Sequence, residues 1–450
     1  MNNYTSAEKK PLKKYSRFFA HCEETCRNND NIDPALYGEY GVNKGLRDFN
    51  GNGVLAGLTN ISDIIASKNV DGKTIPADGE LWYRGYRVED LISTLGDRCG
   101  FERIAYLLLM GDLPDEAEEE EFFRIIGKFR TLPSNFTRDV IMKAPSRDIM
   151  NTVTRSILTL ASYDDSALDT SVSNTLGECV RLTAELPLLA VYAYHAYNYS
   201  QNGESMIIHR PDPHKSTAEN ILMMLRPDRS YTATEAKVLD TALILHMEHG
   251  GGNNSTFTTR VVTSTGSDTY STIAAAMSSL KGPKHGGANI KVVEMMKNIK
   301  ENVSDVSDRE EIAAYLARIV EREAFDRRGL IYGMGHAVYS LSDPRERVLR
   351  SFVEKLAAEC GRDKDLELYR AVEDTAPRVI AERRRIYKGV SPNVDFYSGF
   401  VYDMLGIPVE LFTAMFAAAR IVGWSAHRIE ELICMDKIIR PAYKSVMKRK

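Results

Sequence analysis

Alternating apolar and polar residues are nearly missing from this chain. Only Val54 to Leu58, and Glu80 to Tyr83 with Tyr86 to Val88, carry short β-like runs. A doubly wound sheet is thereby excluded, and the expected fold class is all-α. Positive charge is in no excess: 58 Lys and Arg stand against 62 Asp and Glu, for a formal charge of -4. That excludes an electrostatic footprint for nucleic acid, since the basic tail Lys448, Arg449, Lys450 is too short to change it, and small molecules are the expected partners. Cysteine is sparse and scattered over Cys22, Cys26, Cys99, Cys179, Cys360 and Cys434, which fits a reducing compartment better than a disulfide framework. Cys22 and Cys26 could share a helix face, but no second ligand pair follows at zinc-finger spacing, so no metal is expected. The most apolar stretch, Leu411 to Trp424, is too short to span a bilayer and holds Arg420 in its middle, so no membrane span is expected. Near the N-terminus Lys9, Lys10, Lys13 and Lys14 mix with Glu8, Glu23 and Glu24 without an apolar signal region, which places the protein in the cytoplasm by expectation.

What is present is helical punctuation. The 450 residues, 43% of them hydrophobic, are too many for one ordinary core, so two domains are expected. Pro114 followed by Asp115, Glu116 and Glu118 to Glu121 puts carboxylates into a first turn, where free N–H groups favour negative charge. Ser216 with Glu219, and Thr232 with Glu235, have capping-box spacing. Ile312, Leu316, Ile319 and Val320 recur at helical spacing. The polar segment Asn298 to Arg309 and the basic segment Glu382 to Lys388 read as surface connections.

Four segments carry chemistry. In His246-Met-Glu-His249-Gly-Gly-Gly-Asn253-Asn-Ser255, a helix beginning near Thr234 places His246 and His249 on one face before three glycines end it. A histidine at that helix end is expected to lean toward its charged form. Glu248 falls on a different face, which argues against a metal held by the three. Lys281-Gly-Pro-Lys284-His285-Gly-Gly-Ala-Asn289 and Gly333-Met-Gly335-His336-Ala-Val, the latter followed by Asp343-Pro-Arg345, each display a histidine between glycines, where backbone N–H groups can also face a ligand. In Ser391-Pro-Asn393-Val-Asp395-Phe, the apolar neighbours Val394 and Phe396 should raise the carboxyl pKa toward that of a general base. Arg420 interrupts an apolar helix and should meet a carboxylate, the protein's own or a ligand's; taken alone, the internal partner is the expectation. Two further matches fail on context. Gly51-Asn-Gly53-Val-Leu-Ala56 lacks the strand a dinucleotide fingerprint needs, and His249-Gly-Gly-Gly lacks the Gly-x-Ser-x-Gly elbow of a lipase.

Together, Lys44-Gly-Leu-Arg, Leu81-Trp-Tyr-Arg-Gly-Tyr-Arg-Val-Glu-Asp-Leu and the histidine, Asp343-Pro-Arg and Asn393-Val-Asp-Phe-Tyr-Ser-Gly segments resemble the citrate synthase family, from about Lys44 to Arg440. The resemblance implies a helical homodimer with shared active sites: an N-terminal extension 1–40, a large domain 41–284 completed by 402–450, and a smaller domain 285–401 that closes over the substrates. It implies oxaloacetate held by His249, Asn253, His336, Arg345, Arg420 and, from the other subunit, Arg440. Asp395 would remove a methyl proton of acetyl-CoA, His285 would stabilise the thioester oxygen, and His336 would polarise the ketone. Ser255 and His246 would support these groups, Leu330, Ile331, Gly333, Gly335 and Lys284 would contact CoA, and neither a metal nor any other cofactor is implied.

One departure stands out. Where family members carry a basic residue after the third histidine to meet CoA phosphates, this chain has Ala337 and Ser340. Lys284, Arg383, Arg384, Arg385 and Lys388 are the candidates to replace it, against the plainer reading of the arginine run as a solvated face. A 2-methylcitrate synthase using propionyl-CoA is the alternative reading. A citrate-cleaving lyase is less expected, since its related module sits behind ATP-grasp and phosphohistidine domains that these 450 residues do not hold.

Overall fold

The computed structural model describes residues 15–48, 53–71, 73–335, 338–384, 389–434 and 437–447. The chain divides into two compact units, 1–58 and 59–450. In the first, helices Ser16–Asn29 and Ala35–Glu39 and the single turn Lys44–Leu46 bury no residue.

The second unit is helical apart from one small antiparallel sheet, β1 (Ser62–Val70), β2 (Lys73–Tyr83) and β3 (Tyr86–Arg87), in that order. The expected ribbon at 80–88 is therefore present. It pairs with β1, Ser62 opposite Tyr83 and a bulge between Ile65 and Ser67, whereas the other expected run, Val54 to Leu58, forms no strand. Long-range pairing overrides local β-propensity here.

Helix starts follow local chemistry. Asp115, Ser216 and Thr232 each cap a helix and each forms a reciprocal box with Glu118, Glu219 and Glu235. Such a cap contributes about 1 kcal/mol. The Arg309–Val320 helix buries Ile312, Leu316 and Ile319 on its periodic face. The connection expected over Asn298 to Arg309 is shorter than that, because the preceding helix runs Ala288–Asn302. Of the basic segment Glu382 to Lys388, residues 382–384 close the Asp363–Arg384 helix and the remainder lies outside the described residues.

The apolar stretch around Arg420 belongs to a helix, Phe412–Cys434, longer than composition alone indicated. Its length and hydropathy would let it cross a membrane, yet most of it is buried inside the fold, against Phe101–Met110, Val172–Gln201, Ala233–His246 and Asn254–Thr263. It is a central core helix, and burial explains its apolar faces.

Candidate active site

The Ala233–His246 helix stops at His246, capped by Met247, so His249 lies in the turn beyond and does not share a helical face with His246 as expected. Tyr83 holds this helix end, its hydroxyl 3.1 Å from the carbonyl oxygens of both Ile244 and Glu248. The Glu248 carboxylate is fully buried and accepts through Oε1 from the Ser62 hydroxyl (2.9 Å), the Gly250 N–H (2.5 Å) and His427 Nε2 (3.0 Å). Burial alone would raise its pKa, but His427, Arg420 and Ser62 hold it below the usual carboxylate range. The carboxylate thus fastens the glycine turn that carries His249.

His246 is fully buried, and burial, then the charges of Arg345 and Arg420, push its pKa down to about 3. The expected bias toward a charged imidazole is overturned: desolvation and two guanidiniums exceed the dipole at the helix end. Its ring lies 4.6 Å from that of Phe416, and its carbonyl oxygen accepts from Arg420 Nε at 2.6 Å.

Among the described residues no carboxylate pairs with Arg420, against the internal partner expected of it. Its guanidinium stacks 4.7 Å from the Phe416 ring, and Nη1, buried, has no hydrogen-bond partner among the described residues. Arg428, two turns on in the same helix, shows what a structural buried arginine looks like. Nε donates to Thr269, Nη1 to Thr263 and Thr272, and Nη2 to the Ser267 carbonyl. Burial lowers the Arg420 pKa to about 10, with Glu248 the first opposing charge. A buried cation with an open donor is arranged to receive an anion.

Arg345 is buried and paired with Asp343, Nε to Oδ1 at 3.0 Å and Nη2 to Oδ2 at 2.7 Å. Asp343 also caps the Pro344–Glu359 helix and accepts from the Val394 N–H at 3.3 Å, which ties Arg345 to the start of the Val394–Met404 helix and so to Asp395. The Tyr339 ring lies between, 5.9 Å from the Arg345 guanidinium and 5.6 Å from the His249 ring. Asp395 is partly buried, and burial raises its pKa to about 6, Arg345 and Arg420 opposing and Asp343 adding. The direction matches the expectation, with burial the largest cause and the charges of Arg345, Asp343 and Arg420 acting on it from across the fold.

Gly333 and Gly335 zip against residues 391–393. The Gly335 N–H donates to the Ser391 carbonyl at 2.7 Å, the Asn393 N–H to Gly333 at 2.9 Å, and Asn393 Nδ2 to the Gly335 carbonyl at 2.8 Å. Gly333 has φ +78° and packs so closely that an added Cβ would lie 2.9 Å from Val292 and Phe396, so only glycine fits. This pairing brings the third histidine motif beside Asp395. His336 itself, with Ala337, lies outside the described residues.

His285 is partly buried, and burial, then Arg420, lowers its pKa to about 4, so it is neutral at pH 7. Its Nε2 is 3.0 Å from Ser255 Oγ, which accepts from Trp424 Nε1–H at 3.1 Å and donates to Asn253 Oδ1 at 3.0 Å. The His285 ring lies 6.5 Å from Phe416, the ring that also meets His246 and Arg420. Arg420 is thus the electrostatic hub, sensed by His246, His285, Asp395 and Glu248 alike.

Of the proposed CoA contacts, Lys284 and Leu330 are exposed and Ile331 is buried. Arg383 pairs with Glu321 at 2.6 Å and Arg384 donates to the Gly329 carbonyl, while Arg385 and Lys388 lie outside the described residues. Arg440 is exposed on an extended C-terminal segment that is tied down beside it by the Ile439 N–H on Ser264 Oγ at 3.0 Å. Tyr83, Phe416, Trp424 and His427 were missed by sequence reading. Phe416 and Trp424, at four-residue offsets either side of Arg420, were the only ones with a local signal.

Comparison with known proteins points to one family. The family model described as citrate synthase, C-terminal domain, matches residues 48–442. Citrate synthase of Synechocystis sp. is 36% identical over 375 residues, 83% of this chain and 85% of that one. The 2-methylcitrate synthase 1 of Corynebacterium glutamicum is 32% identical over 414 residues, 91% of this chain and 96% of that one. Among solved structures, citrate synthase of Pyrobaculum aerophilum superposes with a TM-score of 0.72 at 30% identity, covering 88% of this chain and 91% of its own. A ternary complex of Thermoplasma acidophilum citrate synthase with carboxymethyl coenzyme A and oxaloacetate gives 0.73 at 28%, covering 90% and 97%.

Proposed function

The chain belongs to the citrate synthase family, and from that premise we propose that it condenses acetyl-CoA with oxaloacetate and hydrolyses the citryl thioester to citrate and CoA. The observation that carries this reading is the buried Arg420, whose open Nη1 lies in electrostatic reach of both His285 and Asp395. A small dicarboxylate between Arg420 and Arg345 would put its ketone beside the third histidine motif. Bidentate guanidinium contacts fix a carboxylate's orientation, which a lysine cannot do. His249 and Asn253 complete the cradle, and His336 polarises the ketone.

Asp395 then takes a methyl proton of the acyl-CoA, and the electron pair left behind attacks the ketone carbon. His285 stabilises the oxygen of the enol. A neutral imidazole has one N–H, and the Ser255 hydroxyl has one proton to place. As the side chains stand, that proton goes to Asn253 Oδ1, which can only accept; when Asn253 turns to the substrate the proton passes to His285 Nε2, 3.0 Å away, and leaves the imidazole N–H on Nδ1 to face the thioester. Water finally cleaves the thioester. The reaction needs no resident cofactor, CoA being carried by the substrate, and residues 285–401 are the part we assign to closure over it.

We assign the active unit to a homodimer. Ile438, Tyr443 and Met447 expose 61%, 95% and 78% of their surfaces on the segment that bears Arg440, apolar area that a partner chain would cover.

A second reading, propionyl-CoA as acyl donor and 2-methylcitrate as product, has support from the similarity to the Corynebacterium glutamicum enzyme over most of both chains. One methylene in an apolar pocket is worth about 1 to 3 kcal/mol, so the two donors differ in rate and not in kind. Purified protein should release free CoA thiol only when an acyl-CoA and oxaloacetate are both present, and the ratio of kcat/KM for the two donors decides between the readings. A folded protein that turns over neither donor would end the assignment.

The raised pKa of Asp395 gives a pH dependence. A base must be ionised, so kcat/KM should fall about tenfold per unit as pH drops below about 6. An acid limb near 4, the ordinary carboxylate range, would show that the Asp395 pKa is not raised in the working enzyme.

A further inference from the structure

Glu248 is the first charge opposing the lowered pKa of Arg420, yet no ion pair joins them among the described residues. Arg420 Nη1 and Glu248 Oε2 are both buried and both lack a hydrogen-bond partner there. Two complementary buried groups that stay apart are being held apart, because each would gain by meeting.

The restraint is visible. Among the described residues the bonds made by the carboxylate go to Oε1, from Ser62, Gly250 and His427. Its Oε2 lies against the Phe412–Cys434 helix at Gly423, three residues after Arg420, where an added Cβ would come within 2.4 Å of it. His427 is in turn fixed by Arg260, whose Nε and Nη2 approach Nδ1 at 3.1 and 2.8 Å. A guanidinium can only donate, so Nδ1 must accept, and the ring proton sits on Nε2, aimed at Glu248. Arg260 itself is anchored by Glu430 and Glu431.

We propose that His427, oriented by Arg260, is a positioning residue that keeps the Glu248 carboxylate away from Arg420 and so leaves that guanidinium open to a carboxylate of the substrate. This rests on the reading of Arg420 as a substrate-carboxylate site. Released from His427, Glu248 would swing its carboxylate onto Arg420 and compete with oxaloacetate from within the protein.

The test is a cycle of variants in the full-length enzyme. His427→Leu should raise KM for oxaloacetate about tenfold or more, the worth of one internal charged hydrogen bond, with kcat at saturating oxaloacetate within about threefold of wild type. Adding Glu248→Gln to His427→Leu removes the competing charge and should return KM most of the way. His427→Gln, which can still donate to Glu248 and accept from Arg260, should rescue alone. Ser62→Ala, a milder loss of the same tether, should shift KM in the same direction and be relieved by Glu248→Gln as well, which keeps the test available where the leucine variant does not fold. An unchanged KM in His427→Leu, or a raised KM that Glu248→Gln fails to lower, overturns the proposal, because a merely structural histidine would give the second pattern. Wild-type protein with no turnover on either acyl-CoA would instead overturn the assignment on which it rests.

Discussion

Replacing Asp395 by asparagine is expected to lower kcat by about a hundredfold or more while leaving oxaloacetate affinity within about threefold of wild type. The substitution keeps the shape and the capped helix start, since Asn393 caps the Val394–Met404 helix by accepting from the backbone N–H of residue 395 and not from its side chain. What is lost is an oxygen able to take a proton. Oxaloacetate should still bind, because Arg345 keeps its pairing with Asp343 and Arg420 keeps its carbonyl contact with His246. Stability gives a second readout with its own sign. The folded-state pKa of Asp395 lies above the ordinary carboxylate value, so the native state binds this proton more tightly than the unfolded chain does, and ionisation at neutral pH destabilises the fold. Asp395→Asn should therefore melt no lower than wild type at pH 7. His249→Ala should behave in the opposite way, chiefly weakening oxaloacetate. Equal loss of oxaloacetate affinity in both variants would contradict this division of labour.

Mixing Arg440→Ala chains with Asp395→Asn chains, each nearly inactive alone, should restore about half of one wild-type dimer's activity per heterodimer. If Arg440 completes the cradle of the partner subunit, each active site draws Asp395 from one chain and Arg440 from the other. A heterodimer then carries both lesions in one site and neither in the other. The placement of Arg440 motivates this experiment. It is exposed on the extended segment after Cys434, while Arg345 and Arg420 are buried in the chain's own interior. The competing account, a cation placed near a helix end, is weakened because the Phe412–Cys434 helix has already finished. Subunit exchange confirmed by mass without any return of activity would remove Arg440 from the partner's site and with it the shared-site reading.

The features legible from the chain alone are those set by a few neighbouring residues. Capping boxes at Ser216 and Thr232 close over three positions, and the helices begin where those spacings put them. The raised pKa expected for Asp395 is present, with burial as its largest cause, beside Val394 and Phe396, which are themselves buried. The motifs around His249, His285, Gly333 and Asp395 pointed to the family through their combination and order, which a family model over residues 48–442 matches.

Tertiary structure decided everything that depends on what lies across the fold. His246 looked chargeable from its helix end, and charges from Arg345 and Arg420 together with complete burial made it neutral. Glu248 could be read from the sequence only as lying off the face of the two histidines, whereas folding brings His427 and Ser62, 179 and 186 residues away, onto its carboxylate. Arg420 and Arg428 are the same residue type in the same helix, and nothing local distinguishes the one satisfied by threonines from the one left open. Helix caps are hydrogen bonds between near neighbours, so sequence carries them. Desolvation and long-range charge sum over side chains brought together by folding, and only their final positions settle which buried group keeps its proton and which arginine keeps an open donor.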